Sequence, residues 1–293
     1  MRIRVLGSAA GGGVPQWNCN CRNCRAARRE SAGPSRQTQS SAAVSADGKQ
    51  WLLLNASPDL VGQFAGFPPL TPPGKTLRGS AVRAVVLTDG EMDHVAGLLS
   101  LREQKSLRLI CTPAVKNLLT KHFPLLPVLA AYCEIQHSPF PVDIAGLRVS
   151  ALELPVDKAP RYARRPARRG EVVGLRLEAG GKSLVYLPGL PAITPAVTEL
   201  VADCDCLLVD GTFWMDKEMV TPGLSTRTAR EMGHVPVGGA GGSLEWLRGL
   251  KIPRKIYTHI NNTNPMWRMN SRERRTVRQA GVEISTDGME IRL

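Results

Sequence analysis

The sequence has no long uninterrupted hydrophobic run, no recognisable secretory signal and no low-complexity linker. Hydrophobic residues make up 43% of its 293 residues, yet no stretch reaches the roughly 18 apolar residues of a membrane-spanning helix. The amino terminus runs from the strand-like segment Ile3–Gly7 straight into glycines, without the apolar core or cleavage site of a secreted protein. These absences predict a cytoplasmic protein with no membrane association.

The cysteines do not have the pattern of a disulfide framework. There are seven, an odd number, and three of them are crowded together at Cys19, Cys21 and Cys24. Thiolates are soft ligands, and three at this spacing can converge on one zinc ion. The pattern predicts a structural Zn²⁺ site whose fourth ligand is not evident, and free buried thiols or a redox pair are the alternatives.

Negative charge is also scarce. Lysine and arginine total 38 against 25 acidic residues, which gives a formal net charge of +13. Such a balance suits acidic or phosphate-bearing partners, and on composition alone a nucleic acid is one of them. The positive charge is densest in residues 157–171, where no periodic apolar face exists and a mobile loop is predicted. This segment contains Arg161, Arg164, Arg165, Arg168 and Arg169.

Short β-rich runs alternate with helical stretches and predict an α/β fold. The apolar run Val82–Thr88 is typical of a strand buried on both faces, and we expect a helix from about Val95 to Lys105 after it. Hairpins are predicted within Ser41–Leu54 and Val172–Leu187. Because no tandem repeat or obvious linker interrupts the chain, we expect one domain over residues 1–293, with two sheets between helical layers.

Residue types that bind metals follow the Val82–Thr88 strand. The side chains of Asp89, Glu91 and Asp93 alternate along an extended loop, and His94 stands at a helix start. A solvated acidic turn that caps the helix is the alternative. Elsewhere, His234 and His259 lie in polar loops and Asp210 ends another buried strand, positions equally compatible with structural roles.

Several motifs resemble those of a known superfamily. The string Thr88-Asp89-Gly90-Glu91-Met92-Asp93-His94 resembles the Thr-His-x-His-x-Asp-His signature of the metallo-β-lactamase superfamily, with the first two histidines replaced. The strings at residues 6–19, 232–236 and 259–265 are similar to one branch, the pyrroloquinoline quinone (PQQ) biosynthesis protein B family. The resemblance implies a four-layer αββα sandwich and a structural zinc bound by the cysteines.

The departures from the superfamily pattern bear on the chemistry. Its hydrolases hold two metals with both signature histidines and a bridging aspartate, but the corresponding strand end at residues 186–190 has no carboxylate. Alignment of the motifs leaves Asp93, His94 and His259 as the candidate metal ligands. Two histidines and one carboxylate are the ligand set associated with non-haem Fe²⁺ that activates oxygen. Glu91 replaces the glutamine expected in this family, and Gly90 the alanine, so Glu91 is a further candidate ligand.

The resemblance therefore implies an iron- and oxygen-dependent hydroxylase of PQQ biosynthesis. Its substrate would be a small polycarboxylate, a cross-linked Glu-Tyr species derived from a precursor peptide, which receives oxygen from O₂ on the tyrosine ring. In this interpretation His234 and Asp89 act as acid or base and Asp210 orients a ligand. The expected substrate contacts are Arg161, Arg164, Arg165 and Trp17, with Tyr162, Trp214 and Trp267 as further stacking candidates.

Two other functions stay open at this point. A carrier that assists transport of PQQ or its precursor to the periplasm would need the arginines but no redox metal. A metal-dependent phosphodiesterase-like hydrolase would suit the positive charge, although the lost histidines and aspartate argue against two-metal chemistry. Under the favoured interpretation the positive charge serves a small polycarboxylate, so no nucleic-acid partner is expected. The sequence does not determine the oligomeric state, and a homodimer is one option.

Overall fold

The computed structural model describes residues 1–29, 35–72 and 74–293. In this part of the chain the strands are β1 (Arg2–Gly7), β2 (Ser41–Ser45), β3 (Trp51–Leu54), β4 (Val82–Val86), β5 (Ser106–Ile110), β6 (Glu134–Ser138), β7 (Val142–Ile144), β8 (Leu147–Glu153), β9 (Val173–Ala179), β10 (Lys182–Leu187), β11 (Cys206–Asp210), β12 (Arg254–Thr258), β13 (Glu283–Ile284) and β14 (Glu290–Arg292). The α-helices are α1 (Arg22–Arg29), α2 (Leu60–Ala65), α3 (Met92–Val95), α4 (Pro113–Asn117), α5 (Leu125–Ala130), α6 (Pro195–Val201), α7 (Ser243–Arg248) and α8 (Arg272–Gln279). No helix in these residues is long and apolar enough to cross a membrane.

The strands make two sheets that face each other. The described strands follow the orders β14-β1-β2-β3-β4-β5-β6 and β13-β12-β11-β10-β9-β8-β7. A middle core joins the sheets, with Leu52 of one and Leu208 of the other. Two outer cores lie between a sheet and its helices, one including Val115 of α4 and the other Val197 of α6. The four-layer αββα sandwich predicted from the sequence is therefore confirmed.

The strand sequences explain this layering. Successive side chains of a strand point to opposite faces, and those of β10 alternate between two cores. Leu184 and Tyr186 enter the middle core, whereas Val185 and Leu187 enter an outer core. Strands buried on both faces need near-continuous apolar runs, which is why β4 and β11 are visible in the sequence.

The two predicted hairpins are present, as β2–β3 and β9–β10. The predicted helix at 95–105 is instead α3 followed by a 3₁₀ helix at Ala96–Leu101. Gly97 packs so closely on the preceding loop that a Cβ there would lie 2.0 Å from the Ser57 carbonyl oxygen. Strands β6, β7 and β14 were not predicted; most of their residues are half-buried or exposed, so their sequences lack a continuous apolar run.

The sheets position the functional loops at one end of the molecule. Strands β11 and β12 are parallel neighbours, with Asp210 opposite Thr258. The loops that follow them, which carry Thr212 and His259, therefore begin side by side. The glycine loop after β1 joins them through a parallel bridge between Ala9 and Ile260, so loops from both sheets meet here.

Candidate active site

Asp93, His94 and His259 converge from segments that follow one strand of each sheet, β4 and β12. α3 begins just after the loop that follows β4, which places Asp93 and His94 in its single turn, and His259 directly follows β12. One ligand atom of each residue lies within 4.8 Å of the other two. Nε2 of His259 is 3.2 Å from Oδ2 of Asp93, and the two imidazole centroids are 5.1 Å apart. The three residues form a compact set of one carboxylate and two imidazoles.

The two ring nitrogens of His94 have different surroundings. Nδ1 lies 2.9 and 2.7 Å from the two carboxylate oxygens of Asp89, whereas the buried Nε2 has no hydrogen-bond partner in the described residues. Burial opposes the charged form of His94, but the carboxylates of Asp89 and Asp93 outweigh it and raise the pKa of His94 to about 9. A metal at Nε2 would displace the proton that the ring holds there below that pKa, while Nδ1 keeps donating to Asp89.

Asp89 contacts the Nδ1 side of the His94 ring and also lines the adjacent cavity. Its Oδ2 accepts from the Thr88 hydroxyl at 2.7 Å and its Oδ1 from the Glu91 backbone N–H at 2.9 Å, in addition to the contacts with His94. Burial raises the cost of its charge, yet His94 lowers the pKa of Asp89 overall. This geometry fits a residue that orients His94, and the role of Asp89 as an acid or base stays a prediction.

His259 is held by its backbone and by Thr212. Its φ is 54°, in the left-handed region, a conformation that costs about 1–3 kcal/mol and recurs at functional sites. Its Nδ1 is 2.8 Å from the Thr212 hydroxyl oxygen, which lies 2.5 Å from Oδ1 of Asp210. The hydroxyl donates to Asp210 and accepts from His259 N–H. Nε2 of His259 is therefore the nitrogen directed at Asp93.

A second aspartate–histidine pair stands beside the first. Nδ1 of His234 is 2.7 Å from Oδ2 of the fully buried Asp210, and the His234 ring stacks on that of His259 with centroids 5.5 Å apart. Asp210, His234 and His259 also form a potential metal cluster. Asp210 already accepts N–H groups from Leu190 and Thr212, so its geometry fits orienting His234 better than binding a metal.

The donor set at Asp93, His94 and His259 fits a divalent transition metal. The unpartnered His94 Nε2 is the observation that supports this fit, because an unsatisfied buried nitrogen is destabilising. Glu91 is not part of the converging group. It lines the adjacent cavity, where burial and the charges of Asp89 and Asp93 raise its pKa.

The three amino-terminal cysteines also come together, with their Sγ atoms within 4.8 Å of one another. α1 begins at Arg22 and carries Cys24, whose Sγ accepts from the Asn262 side-chain amide at 3.2 Å. The hydrogen bond from the Cys21 thiol is the largest influence that lowers the pKa of Cys24, to about 5. Three converging cysteine side chains, of which Cys24 has a lowered pKa, fit a zinc site. Asn262 is three residues from His259, so zinc bound here would stabilise the loop that carries His259, a candidate ligand of the other metal.

A cavity of about 1060 Å³ adjoins the candidate metal ligands. Its lining includes Asp89, Asp93, His94, His234 and His259, and also Glu91, Lys158, Arg161, Phe213, Arg227 and Arg230. Another cavity, of about 1280 Å³, contains none of the predicted site residues. We regard the smaller one as the substrate cavity, since it joins convergent polar groups to a potential metal site.

The predicted substrate contacts are only partly brought to this cavity. Arg161 lines it, whereas Arg164 and Arg165 do not. Arg165 pairs instead with the buried carboxylate of Glu171. Trp17 is 87% exposed and outside the lining. The arginine-rich segment packs Ala163 against Leu118; its mobility stays a prediction.

The other aromatic candidates do not line the cavity either. Trp267 is buried, and its indole N–H donates to the Asn261 carbonyl oxygen at 2.9 Å. Trp214 packs on Gly238, and the Tyr162 hydroxyl donates to the Gly90 carbonyl oxygen at 2.6 Å. Phe213, next to Trp214, is the aromatic residue that the structure brings to the site.

Sequence reasoning also missed several polar residues of the site. Lys158 lies just before the predicted arginines, and Thr212 follows Asp210 by two positions. Arg227 and Arg230 lie in the polar segment between Asp210 and His234. Their location in the chain between two candidate site residues is the sequence feature that could have identified them.

Comparison with known proteins gives a consistent result. The sequence model of the beta-lactamase superfamily domain matches residues 50–260. Coenzyme PQQ synthesis protein B of Methylococcus capsulatus is 45% identical over 304 aligned residues, which cover 99% of both chains. The crystal structure of Zn²⁺-bound PqqB from Methylobacterium extorquens is similar with a TM-score of 0.92, at 39% identity over 100% of both chains. A diphosphatase of the PhnP family has a TM-score of 0.71 at 20% identity, covering 100% of this chain and 97% of its own; this likeness shows the fold alone.

Proposed function

The chain belongs to the coenzyme PQQ synthesis protein B family of the beta-lactamase superfamily, and on that premise we propose that it is an iron-dependent oxygenase of PQQ biosynthesis. Its substrate is a cross-linked Glu-Tyr species derived from a small precursor peptide, and the reaction hydroxylates the tyrosine ring. Asp93, His94 and His259 would hold Fe²⁺. The observation that carries the proposal is the buried, unpartnered Nε2 of His94 beside one carboxylate and one further imidazole.

The ligand set favours one redox metal. Two histidines and one carboxylate leave coordination positions open, as in non-haem iron oxygenases. Bound Fe²⁺ would supply the redox chemistry that activates O₂. In the overall reaction one oxygen atom enters a ring C–H bond and the other leaves as water, with two protons and two electrons from an external two-electron reductant. Glu91 lies beside the metal set as an additional carboxylate.

The protein residues supply position and proton transfer. Asp89 fixes His94 and Thr212 fixes His259, so both imidazoles present Nε2 to one point. His234 lines the cavity and is oriented by Asp210 through Nδ1. Burial opposes a charge on His234, but Asp210 raises its pKa. His234 is thus equipped to take the proton of a substrate phenol at Nε2 and return it.

A two-metal hydrolase would need a bridging carboxylate, and the structure offers none at the expected place. After β10 the chain continues as Pro188 and Gly189, and the Leu190 N–H donates to Asp210 at 2.9 Å. Asp89, which occupies one of the two replaced histidine positions, is fully engaged by His94, Thr88 and Glu91. Two-metal hydrolysis needs a second ion to share the charge, so these residues favour the oxygenase.

We further propose that zinc occupies the cysteine cluster and that the reaction takes place in the cytoplasm. All seven cysteines are free thiols, which suits a reducing compartment. The substrate-derived carboxylates and O₂ are the partners that the reaction requires.

The test is anaerobic loading of the full chain with Fe²⁺, followed by the cross-linked Glu-Tyr dipeptide, ascorbate and O₂. We expect one O₂ consumed per hydroxylated product, and a mass increase of one oxygen atom. Zinc-loaded protein and the His94→Ala variant are the controls and should give no product. No oxygen uptake, with tight PQQ binding retained, would support the carrier instead. Metal-dependent cleavage of bis(p-nitrophenyl) phosphate that is lost in His94→Ala would support the hydrolase.

A further inference from the structure

Four basic side chains line the substrate cavity. Lys158 and Arg161 come from the segment after β8, and Arg227 and Arg230 come from the segment after β11. Burial lowers the pKa of Lys158, the carboxylate of Glu91 raises it, and the positive charges of Arg227 and Arg161 lower it further. Lys158 is therefore close enough to both arginines to be repelled by them, and an anion bound among these cavity-lining groups would relieve that repulsion.

Two of these cations make no direct contact with an acceptor in the described residues. Within the described chain, neither the Lys158 ammonium nor the Arg161 guanidinium makes a hydrogen bond or an ion pair. Arg227 donates to the Glu231 carbonyl oxygen, a neutral acceptor. By contrast, the nearby Arg165 and Arg169, which do not line the cavity, pair with Glu171 and Glu153. Arg165 and Arg169 are thus ion-paired outside the cavity, whereas Lys158 and Arg161, which line it, are not paired within the described chain.

We propose that Lys158, Arg161 and Arg227 form a binding site for a ligand that carries two or more carboxylates on an aromatic scaffold. The cations come from two separate segments, so they suit single charges distributed around a ring better than one compact phosphate. Guanidinium groups pair with carboxylates through two parallel hydrogen bonds. Phe213 supplies an apolar face in the same cavity. This inference rests on the proposed function, since it names the groups that hold its polycarboxylate substrate.

The carboxylate of Glu91 should oppose the binding of a carboxylate ligand at this site. It is the acidic residue whose charge acts on Lys158, so it competes with a carboxylate ligand for that ammonium group. Removing the charge of Glu91 should tighten binding, whereas removing a cation should weaken it. Opposite effects from neighbouring residues of one cavity distinguish a binding site from a general disturbance of the fold.

The experiment uses the full chain with zinc at the cysteines and no iron, so its outcome does not depend on oxygen chemistry. Benzene-1,3,5-tricarboxylate is titrated by calorimetry, with phenyl phosphate and benzoate as comparison probes. We expect the tricarboxylate to bind most tightly, and Lys158→Gln, Arg161→Gln and Arg227→Gln each to weaken it by about tenfold or more. Glu91→Gln should strengthen it. Arg272→Gln, a charge change at an exposed position of α8, is the matched control and should have no effect.

Three results would overturn the inference: no binding of the tricarboxylate, equal affinity in the three cation variants and the unaltered protein, or tighter binding of phenyl phosphate. If the site behaves as expected but iron-loaded protein consumes no oxygen with the dipeptide, the binding site stands and the oxygenase proposal fails. If oxygen is consumed but the cation variants bind the tricarboxylate normally, the oxygenase proposal stands and the proposed binding site fails.

Discussion

The hydroxyl oxygen of Thr212 lies 2.8 Å from Nδ1 of His259 and connects that histidine to the buried carboxylate of Asp210. His94 receives the same kind of support directly from Asp89. Hydrogen bonds to the distal nitrogen of a histidine ligand fix its tautomer and ring orientation. Both imidazoles of the candidate metal set are thus oriented at Nδ1 by a carboxylate, directly for His94 and through Thr212 for His259.

Thr212→Val should weaken metal binding at this site while leaving the fold intact, because valine keeps the shape of threonine but cannot accept the His259 N–H. We expect about 10–100-fold lower affinity for Fe²⁺, the range found when such supporting groups are lost. Competition with a chromophoric chelator measures this affinity. Thr212→Ser keeps the hydroxyl and should retain most of it; unchanged affinity in the valine variant would show that Thr212 has no supporting role.

Gly90 and Tyr162 form a packed pair beside the metal loop. A Cβ on Gly90 would lie 2.7 Å from the Tyr162 hydroxyl oxygen and 3.1 Å from Cδ1 of Leu118. Gly90→Ala should therefore lower the free energy of unfolding by about 1–3 kcal/mol. Tyr162→Phe removes the obstructing oxygen, so the double variant should lose clearly less than the sum of the two single changes. Urea denaturation of the four proteins tests this, and strict additivity would contradict the contact.

Glu218 should make stability depend on pH. Burial raises the pKa of this carboxyl group to about 7, above an unfolded value near 4.3. A raised folded pKa means that the stabilisation is complete below about pH 4 and is lost as the pH rises through about 7, for a total near 3–4 kcal/mol. Glu218→Gln imitates the protonated form: its amide can accept from the Trp214 N–H and donate to the Thr263 hydroxyl, the two groups that now contact the carboxylate.

We expect the Gln variant to be more stable than the unaltered protein at pH 8 and close to it at pH 5. Urea denaturation at both pH values provides the comparison. Other groups also titrate in this range, so the informative quantity is the difference between the free energies of unfolding of the two proteins at each pH. A constant difference across the range would show that Glu218 titrates normally.

Loss of iron should leave zinc in place, whereas loss of zinc should also weaken iron binding. His94→Ala removes a ligand of the candidate iron site and leaves the cysteine cluster untouched, so zinc content should stay near one per chain while iron falls to background. Cys24→Ser should remove zinc. Because Asn262 connects the cysteines to the His259 loop, iron affinity should also fall in this variant, although less than in His94→Ala. Elemental analysis gives both contents, and unchanged iron in His94→Ala would refute the ligand assignment.

The sequence predicted the layers and the candidate ligands because both depend on local patterns. Strand β4 has a continuous apolar run, and the residues after it include Asp93 and His94. The pairings of Asp89 with His94 and of Thr212 with His259 were not predictable, since they depend on side-chain rotamers and on loops from separate strands. Arg227 lies in an irregular segment with no periodicity to indicate its path. Arg165 was a reasonable substrate contact by composition, but its partner Glu171 is visible only in the folded chain.

The central claim is that one iron ion binds at Asp93, His94 and His259, separate from zinc at the cysteines. Anomalous diffraction from crystals of the Fe²⁺-loaded protein, recorded at the iron and zinc absorption edges, tests it most directly. The account predicts a single iron peak bounded by Asp93 and the two histidines, and a zinc peak among Cys19, Cys21 and Cys24. A pair of metal peaks about 3.5–4 Å apart beside His234 and His259, as in two-metal hydrolases, would contradict it.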